Sequence, residues 1–331
     1  MRKLLLPLFA LLLAGCTAET PANDGPEQAE GADPLPFLRG DDSMAVDPND
    51  EADLRKRGNV MFAQGAFDQA IEDYTEAIKL KPSPAAYYNR GVAYCAKEQF
   101  GLALADFNAA IELDPEGTSA YFNRGIVLHR QGKTAQGIAD LSKAMELEPR
   151  DASIPFNRGL MYLAVSLTDR AIADFEKAIE LDPPMFDAHI NRGYACQQIG
   201  QYTEAIKSFD EAIRLRPTNA KAYSNRGNAY SKKADFEQAL KDLDEAIRLN
   251  SREAQFYNNR GTVYGQMGQH RKAMGDFARA IELQPDVAAY YRNRGHAYHQ
   301  LGDMLEAEAD FATALDMEPA YRDGIPARYL K

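Results

Sequence analysis

Asn-Arg-Gly recurs along this chain with its Gly at 91, 125, 159, 193, 227, 261 and 295, every step 34 residues. A chain written in one period is not organised around one central core. Each unit buries its apolar face against its neighbour, and the stack grows in one dimension. The 331 residues, a length that otherwise suggests two domains, therefore read mainly as an array. Aligned on a recurring Pro, units one to eight are 51–83, 84–117, 118–151, 152–185, 186–219, 220–253, 254–287 and 288–321, the first one residue short. Each unit holds two helical patterns, A and then B. Gly punctuates the break between them at 65, 132, 200, 268 and 302, as a helix C-cap does, and Ser166 takes that place in unit four. Pro closes helix B at 82, 115, 149, 183, 217, 285 and 319, with Ser251 the one departure.

Repetition separates the jobs of neighbouring letters. At 100° per residue, positions 4, 7, 8 and 11 of a unit share one stripe of helix A, and positions 2, 5, 6, 9, 12 and 13 lie on the other side. Position 8 is Gly and position 27 is Ala in every unit, as Gly125 and Ala144 show in unit three, and position 20 is Ala except at Gly137. Helix axes approach closely only where no side chain intervenes, so these residues mark where A and B touch. The Arg at position 7 (57, 90, 124, 158, 192, 226, 260 and 294) points toward helix B, where a guanidinium needs a carboxylate. Position 23 supplies Asp73, Asp106, Asp140, Asp174, Asp242, Asp276 and Asp310, with Ser208 in unit five. The Arg124–Asp140 series reads as scaffold. Pairing within a unit and pairing across to the next are both compatible with the spacing.

Position 6 is Asn89, Asn123, Asn157, Asn191, Asn225, Asn259 and Asn293, with Lys56 in the first unit. It faces away from helix B. A side-chain amide offers one acceptor and two donors, matching a peptide unit, so this series is expected to contact an extended ligand. The same face is apolar in units two to five, with Tyr88, Phe122, Ile126, Phe156, Leu160 and Tyr194, and polar in units six to eight. An exposed apolar patch of that kind marks an interaction site. The competing reading is that these residues pack against the next helix A.

The pattern of a bulky residue at position 4, Gly at 8, Tyr at 11, Ala at 20, Phe or Tyr at 24, Ala at 27 and Pro at 32 resembles the tetratricopeptide repeat. "AYFNRGIVLHRQGKTAQGIADLSKAMELEP" (120–149) carries it with Tyr121, Gly125, Leu128, Gly137, Leu141, Ala144 and Pro149. The resemblance covers 51–321. It implies an all-α fold, a right-handed superhelical solenoid of eight helix-turn-helix units with a concave groove that takes a protein or peptide partner. The Asn series is similar to the asparagine ladder of the tetratricopeptide superhelix in O-linked N-acetylglucosamine transferase, which grips peptide backbones.

The first residues form a different pattern. "MRKLLLPLFALLLAGC" has two basic residues and an apolar run too short to span a bilayer, and reads as a secretory signal over 1–15. Its ending, Leu13-Ala14-Gly15-Cys16, resembles the lipobox of bacterial lipoproteins, which implies a lipid anchor on Cys16 and a membrane-attached, periplasm-facing protein of the cell envelope. Thr17, rather than Asp, after that Cys resembles an outer-membrane address. Residues 17–50 hold nine acids against Arg39 alone and are rich in Pro and Gly, so 16–50 is expected to be a disordered acidic tether, reaching about 30 Å as a flexible coil. After Pro319, "AYRDGIPARYLK" carries Gly324 and Pro326, which argue against a long helix and for a C-terminal strap over 322–331.

The net charge of −11 makes nucleic acid a poor partner. Cys95 and Cys196 lie three units apart, too far to form a disulfide. The chain shows no phosphate loop, nucleophile elbow, Cys-x-x-Cys or His-Glu-x-x-His. His296 and His299 supply at best half of a zinc site, so no metal, cofactor or catalytic group is expected. Two functions are compatible with these features: an envelope scaffold that binds a partner protein or extended peptide, and an assembly component that acts by self-association.

Overall fold

The computed structural model describes residues 47–330. Cys16, the signal sequence and nearly all of the expected tether lie outside the described residues. Among those described there are sixteen α-helices and no strand, so the all-α expectation holds. The chain divides into two bodies at Val165/Ser166. The first contains α1 (Glu51–Ala63), α2 (Phe67–Leu80), α3 (Pro84–Ala96), α4 (Phe100–Leu113), α5 (Thr118–Arg130), α6 (Thr134–Leu147) and α7 (Ser153–Ala164). The second contains α8 (Thr168–Leu181), α9 (Phe186–Gln198), α10 (Tyr202–Leu215), α11 (Ala220–Lys232), α12 (Phe236–Leu249), α13 (Ala254–Gln266), α14 (His270–Leu283), α15 (Ala288–Leu301) and α16 (Met304–Met317). Within each body, consecutive helices pack as A–B pairs, and each B packs on the A that follows.

The turn from A to B is a single left-handed residue. Gly65, Gly132, Gly200, Gly268 and Gly302 have φ between 72 and 89°. The same place in the other units is filled by Glu98, Ser166 and Ala234, at φ 57–60°. Of these three, the residue pattern singles out only Ser166 as a substitute. Helix B ends at position 30 because position 31 is extended, while its N–H still reaches the carbonyl of the alanine at position 27 (Asp114 to Ala110, 2.9 Å; Asn250 to Ala246, 2.9 Å). The Pro that usually follows cannot continue the helix.

The core repeats with the chain. Position 24 (Tyr74, Phe107, Leu141, Phe209, Leu243, Phe277 and Phe311) is fully or almost fully buried, directly beneath the Gly at position 8. A Cβ on Gly193 would lie 2.5 Å from Phe209 Cε1, and one on Gly91 would lie 2.8 Å from Phe107 Cε1. Position 10 of each following helix A closes the pocket, as Val263 does on Ala239 and Leu243. After α16 come two short 3₁₀ turns, Pro319–Gly324 and Ala327–Tyr329, which make a strap, and Ile325 is buried against Ala307 and Phe311.

The candidate partner-binding surface of the A helices

The Arg series forms inside units. Arg90, Arg124, Arg226, Arg260 and Arg294 each grip the Asp sixteen residues ahead with two parallel bonds, Nε to Oδ2 and Nη2 to Oδ1, all at 2.7–2.8 Å. Arg57 and Asp73 make the same fork. The third nitrogen, Nη1, reaches fifteen or sixteen residues back to helix B of the preceding unit: Thr75 from Arg90, Asn108 from Arg124, Asp210 from Arg226 and Asp244 from Arg260. One guanidinium thus ties a unit both to itself and to its neighbour. Hydrogen bonds donated to the Asp carboxylates push the guanidinium pKa values still higher, offsetting their partial desolvation. Unit five, with Ser208, inverts the scheme: Arg192 turns its Nε and Nη2 to Glu176 of the preceding unit and gives Ser208 a single bond of 2.6 Å. The scaffold reading of Arg124, Asp140, Gly125 and Ala144 fits this packing.

The Asn series divides according to what position 5 of the preceding unit offers. Where that residue carries a hydroxyl or an amide, the Asn donates to it across the unit boundary. Asn123 bonds Tyr88 Oη at 2.8 Å, Asn259 bonds Ser224 Oγ at 3.0 Å, and Asn293 bonds Asn258 Oδ1 at 2.8 Å. Asn89 reaches Asn59, at position 9, at 2.9 Å. Where position 5 is apolar, as Phe122 is before Asn157, the amide folds back on its own helix, to the Ser153 carbonyl at 2.8 Å. Asn191 likewise bonds the Asp187 carbonyl at 2.7 Å. Asn225, which follows Ile190, makes no side-chain hydrogen bond among the described residues. Asn89 and Asn123 are only 5 % and 1 % exposed, so their amides belong to the interior.

The expected exposed apolar half is corrected. Tyr88, Phe122, Ile126, Phe156 and Leu160 are all buried. In units two and three, positions 5 and 9 lie under the next helix A. Tyr88 and Val92 pack with Ala120 and Val127, and Phe122 and Ile126 pack with Ile154 and Met161. Only Tyr194 of that set is exposed, at 44 %. Position 9 changes character at that point: it is buried Val92, Ile126 and Leu160 in units two to four, then exposed Tyr194, half-buried Asn228 and exposed Thr262 in units five to seven. The contact between Asn89 and Asn59 shows that position 6 sits beside position 9 of the unit before, and the same register puts Asn225 beside Tyr194.

His296 and His299 turn toward the strap. His299 Nδ1 lies 3.1 Å from Tyr329 Oη, and His296 stands edge-on to Phe311 with its pKa lowered by burial and then by Arg292. Among the described residues no group of three or more His, Cys, Asp or Glu is arranged to hold a metal ion. Cys95 and Cys196 are buried thiols, and burial raises the Cys196 pKa. No helix among the described residues is long and apolar enough to cross a membrane. The bonds between position 6 and position 5 are what single-helix reasoning missed. The signal was present in the alternation of Tyr88, Ser224 and Asn258 with Phe122, Phe156 and Ile190.

Comparison with known proteins agrees with this architecture. Models described as TPR repeat match 58–97, 93–132 and 193–234, and models described as tetratricopeptide repeat match 122–185, 220–252, 254–287 and 288–321. The chain is 41 % identical over 71 residues, 21 % of its length, to the heat shock protein sti1 homolog of Schizosaccharomyces pombe. It is 44 % identical over 63 residues, 19 % of its length, to serine/threonine-protein phosphatase 5 of Homo sapiens. It spans only 12 % and 13 % of those two proteins. The crystal structure of a tetratricopeptide repeat protein from Parabacteroides merdae superposes with a TM-score of 0.53, covering 77 % of this chain and 98 % of that one at 19 % identity, a likeness of fold. With repeat models matching most of 58–321, and helix pairs within each body, the chain belongs to the tetratricopeptide repeat family of protein-interaction scaffolds.

Proposed function

We propose that this protein is a scaffold of the bacterial cell envelope, lipid-anchored through Cys16 in the outer membrane. It holds an extended segment of a partner protein on the A-helix surface of units five to seven. The observation that carries the reading is the unspent amide of Asn225 in register beside exposed Tyr194. A peptide laid there meets a donor and acceptor for its backbone and an aromatic face for a side chain, and Asn228 and Thr262 continue the polar track. The carbonyl oxygen of the Asn191 side chain, whose amide N–H is engaged by its own helix, adds a further acceptor. Asn259 and Asn293 are half-buried and flank this track with their donors already engaged. The lipobox-like Leu13-Ala14-Gly15-Cys16 supports the anchor, and the acidic stretch behind it supports a tether that stands off an anionic surface.

Photo-crosslinking in living cells tests the surface. Benzoylphenylalanine at Tyr194 is expected to trap a partner, whereas the same probe at exposed Leu102 of α4 is not, and Asn225→Ala is expected to abolish the adduct. Adducts that are equal at both sites, or indifferent to Asn225, would remove the reading. Labelled palmitate entering the wild type but not Cys16→Ser tests the anchor separately.

A further inference from the structure

Eight copies of one unit let the two ends of the stack be compared with its interior, position by position. On interior A helices, positions 3 and 10 are apolar and buried, as in Ala86 and Ala93, Ala222 and Ala229, Phe256 and Val263. Position 3 rests on the Ala at position 27 of the preceding unit, as Ala86 rests on Ala77. Position 6 is a neutral Asn, within 2.8–3.0 Å of a position 5 side chain in three of the unit boundaries. The first helix breaks this pattern twice. Asp53 stands at position 3 and Lys56 at position 6, and they bond each other at 3.3 Å on the outer face of α1.

The last unit breaks it in a complementary way. Its position 5 is Arg292, stacked over the Tyr321 ring at 4.3 Å, and the strap covers the surface a following helix would use. Ile325 sits on Ala307 and Phe311 as Ala297 sits on Ala273 and Phe277, and as Ala93 sits on Ala70 and Tyr74. The strap therefore fills the seat of a ninth helix A. If it left, a second copy offering its α1 would bring the Lys56 ammonium against the Arg292 guanidinium and press Asp53 onto buried Ala314. The equivalents of Arg292 at two interior boundaries, Ser224 and Asn258, are buried, so the like charges would meet with little water between them.

We infer that Asp53 and Lys56 at one end, and Arg292 with the strap at the other, are paired stops that prevent copies of this chain from stacking head to tail. This inference does not rest on the partner surface proposed above, and it argues against self-association as the protein's mode of action.

The test is light scattering on the full chain in dodecyl maltoside across a concentration series. Wild type and Ile325→Asp, which unseats the strap alone, are expected to keep the mass of one chain. Ile325→Asp combined with Asp53→Ala, Lys56→Asn and Arg292→Ser is expected to climb to at least twice that mass as concentration rises. A second set guards against a folding failure. Ile325→Asp with Asp53→Ala and Lys56→Glu should also climb, and adding Arg292→Glu should return it to one chain. A single-chain mass for either climbing variant with its helical circular dichroism intact would overturn the inference. So would equal self-association by wild type or by Ile325→Asp alone.

Discussion

Ala234 and Glu98 occupy a backbone conformation that five other units assign to Gly. A left-handed residue with a Cβ costs about 1–2 kcal/mol, and Gly gives back about 0.4–1 kcal/mol through its freer unfolded state. Ala234→Gly is therefore expected to stabilise the protein by about 0.5–1 kcal/mol, read as a higher urea midpoint. The Asn series gives a sharper contrast. Asn123 is buried and bonded to the Tyr88 hydroxyl, so Asn123→Ala leaves an interior group short of a partner and is expected to cost about 1–3 kcal/mol. Asn225→Ala removes no internal hydrogen bond and is expected to stay within about 0.5 kcal/mol of wild type. If both variants unfold at the same urea concentration, the division of this series into structural and available amides fails.

At the scale of the helix, fit is decided by what does not protrude. Phe209 fills the space above Gly193, so Gly193→Ala must push the ring or spread α9 from α10, at a cost of about 1–3 kcal/mol in chemical denaturation. Much of this level was legible in the residues. The A and B helices, the small contact positions and the facing of the Arg series toward the Asp series follow from a helical wheel applied to one unit, but the choice of the Asp within the same unit over that of a neighbour does not. The surface was not legible in the same way. Tyr88, Phe122 and Ile126 look solvent-facing on a wheel because a wheel contains one helix, whereas their burial is supplied by the next. The direction of each amide depends in the same way on a residue 35 positions earlier, as Asn123 depends on Tyr88. The left-handed turns at Glu98 and Ala234 carried no mark, since neither residue type advertises that conformation.

Across the whole chain, buried phenols set the response to alkali. Burial pushes the Tyr290 pKa up to about 12 and raises those of Tyr74, Tyr230 and Tyr264 as well. An unfolded Tyr ionises near pH ~10, so between there and the folded values the unfolded chain binds fewer protons than the native one. The stability these groups confer is complete below about pH 10 and is lost as pH rises toward about 12. Urea midpoints are expected to fall steadily over that range, and Tyr290→Phe, which cannot ionise, is expected to flatten the fall. A midpoint independent of pH over that interval would mean these phenols are not buried as described.

The guanidinium that reaches sixteen residues ahead and sixteen back has one more consequence. Its two partners lie on successive B helices, and the forward one belongs to the same unit, so excising or inserting one complete 34-residue segment leaves each Arg–Asp fork whole and changes only the backward partner at the new seam. Arg294, whose backward neighbour is Ala278, shows that the series also tolerates a missing backward link. Length is thereby an inheritable variable: duplication in whole units can alter how far the array extends while keeping the Arg–Asp forks, whereas a fractional duplication would divide them.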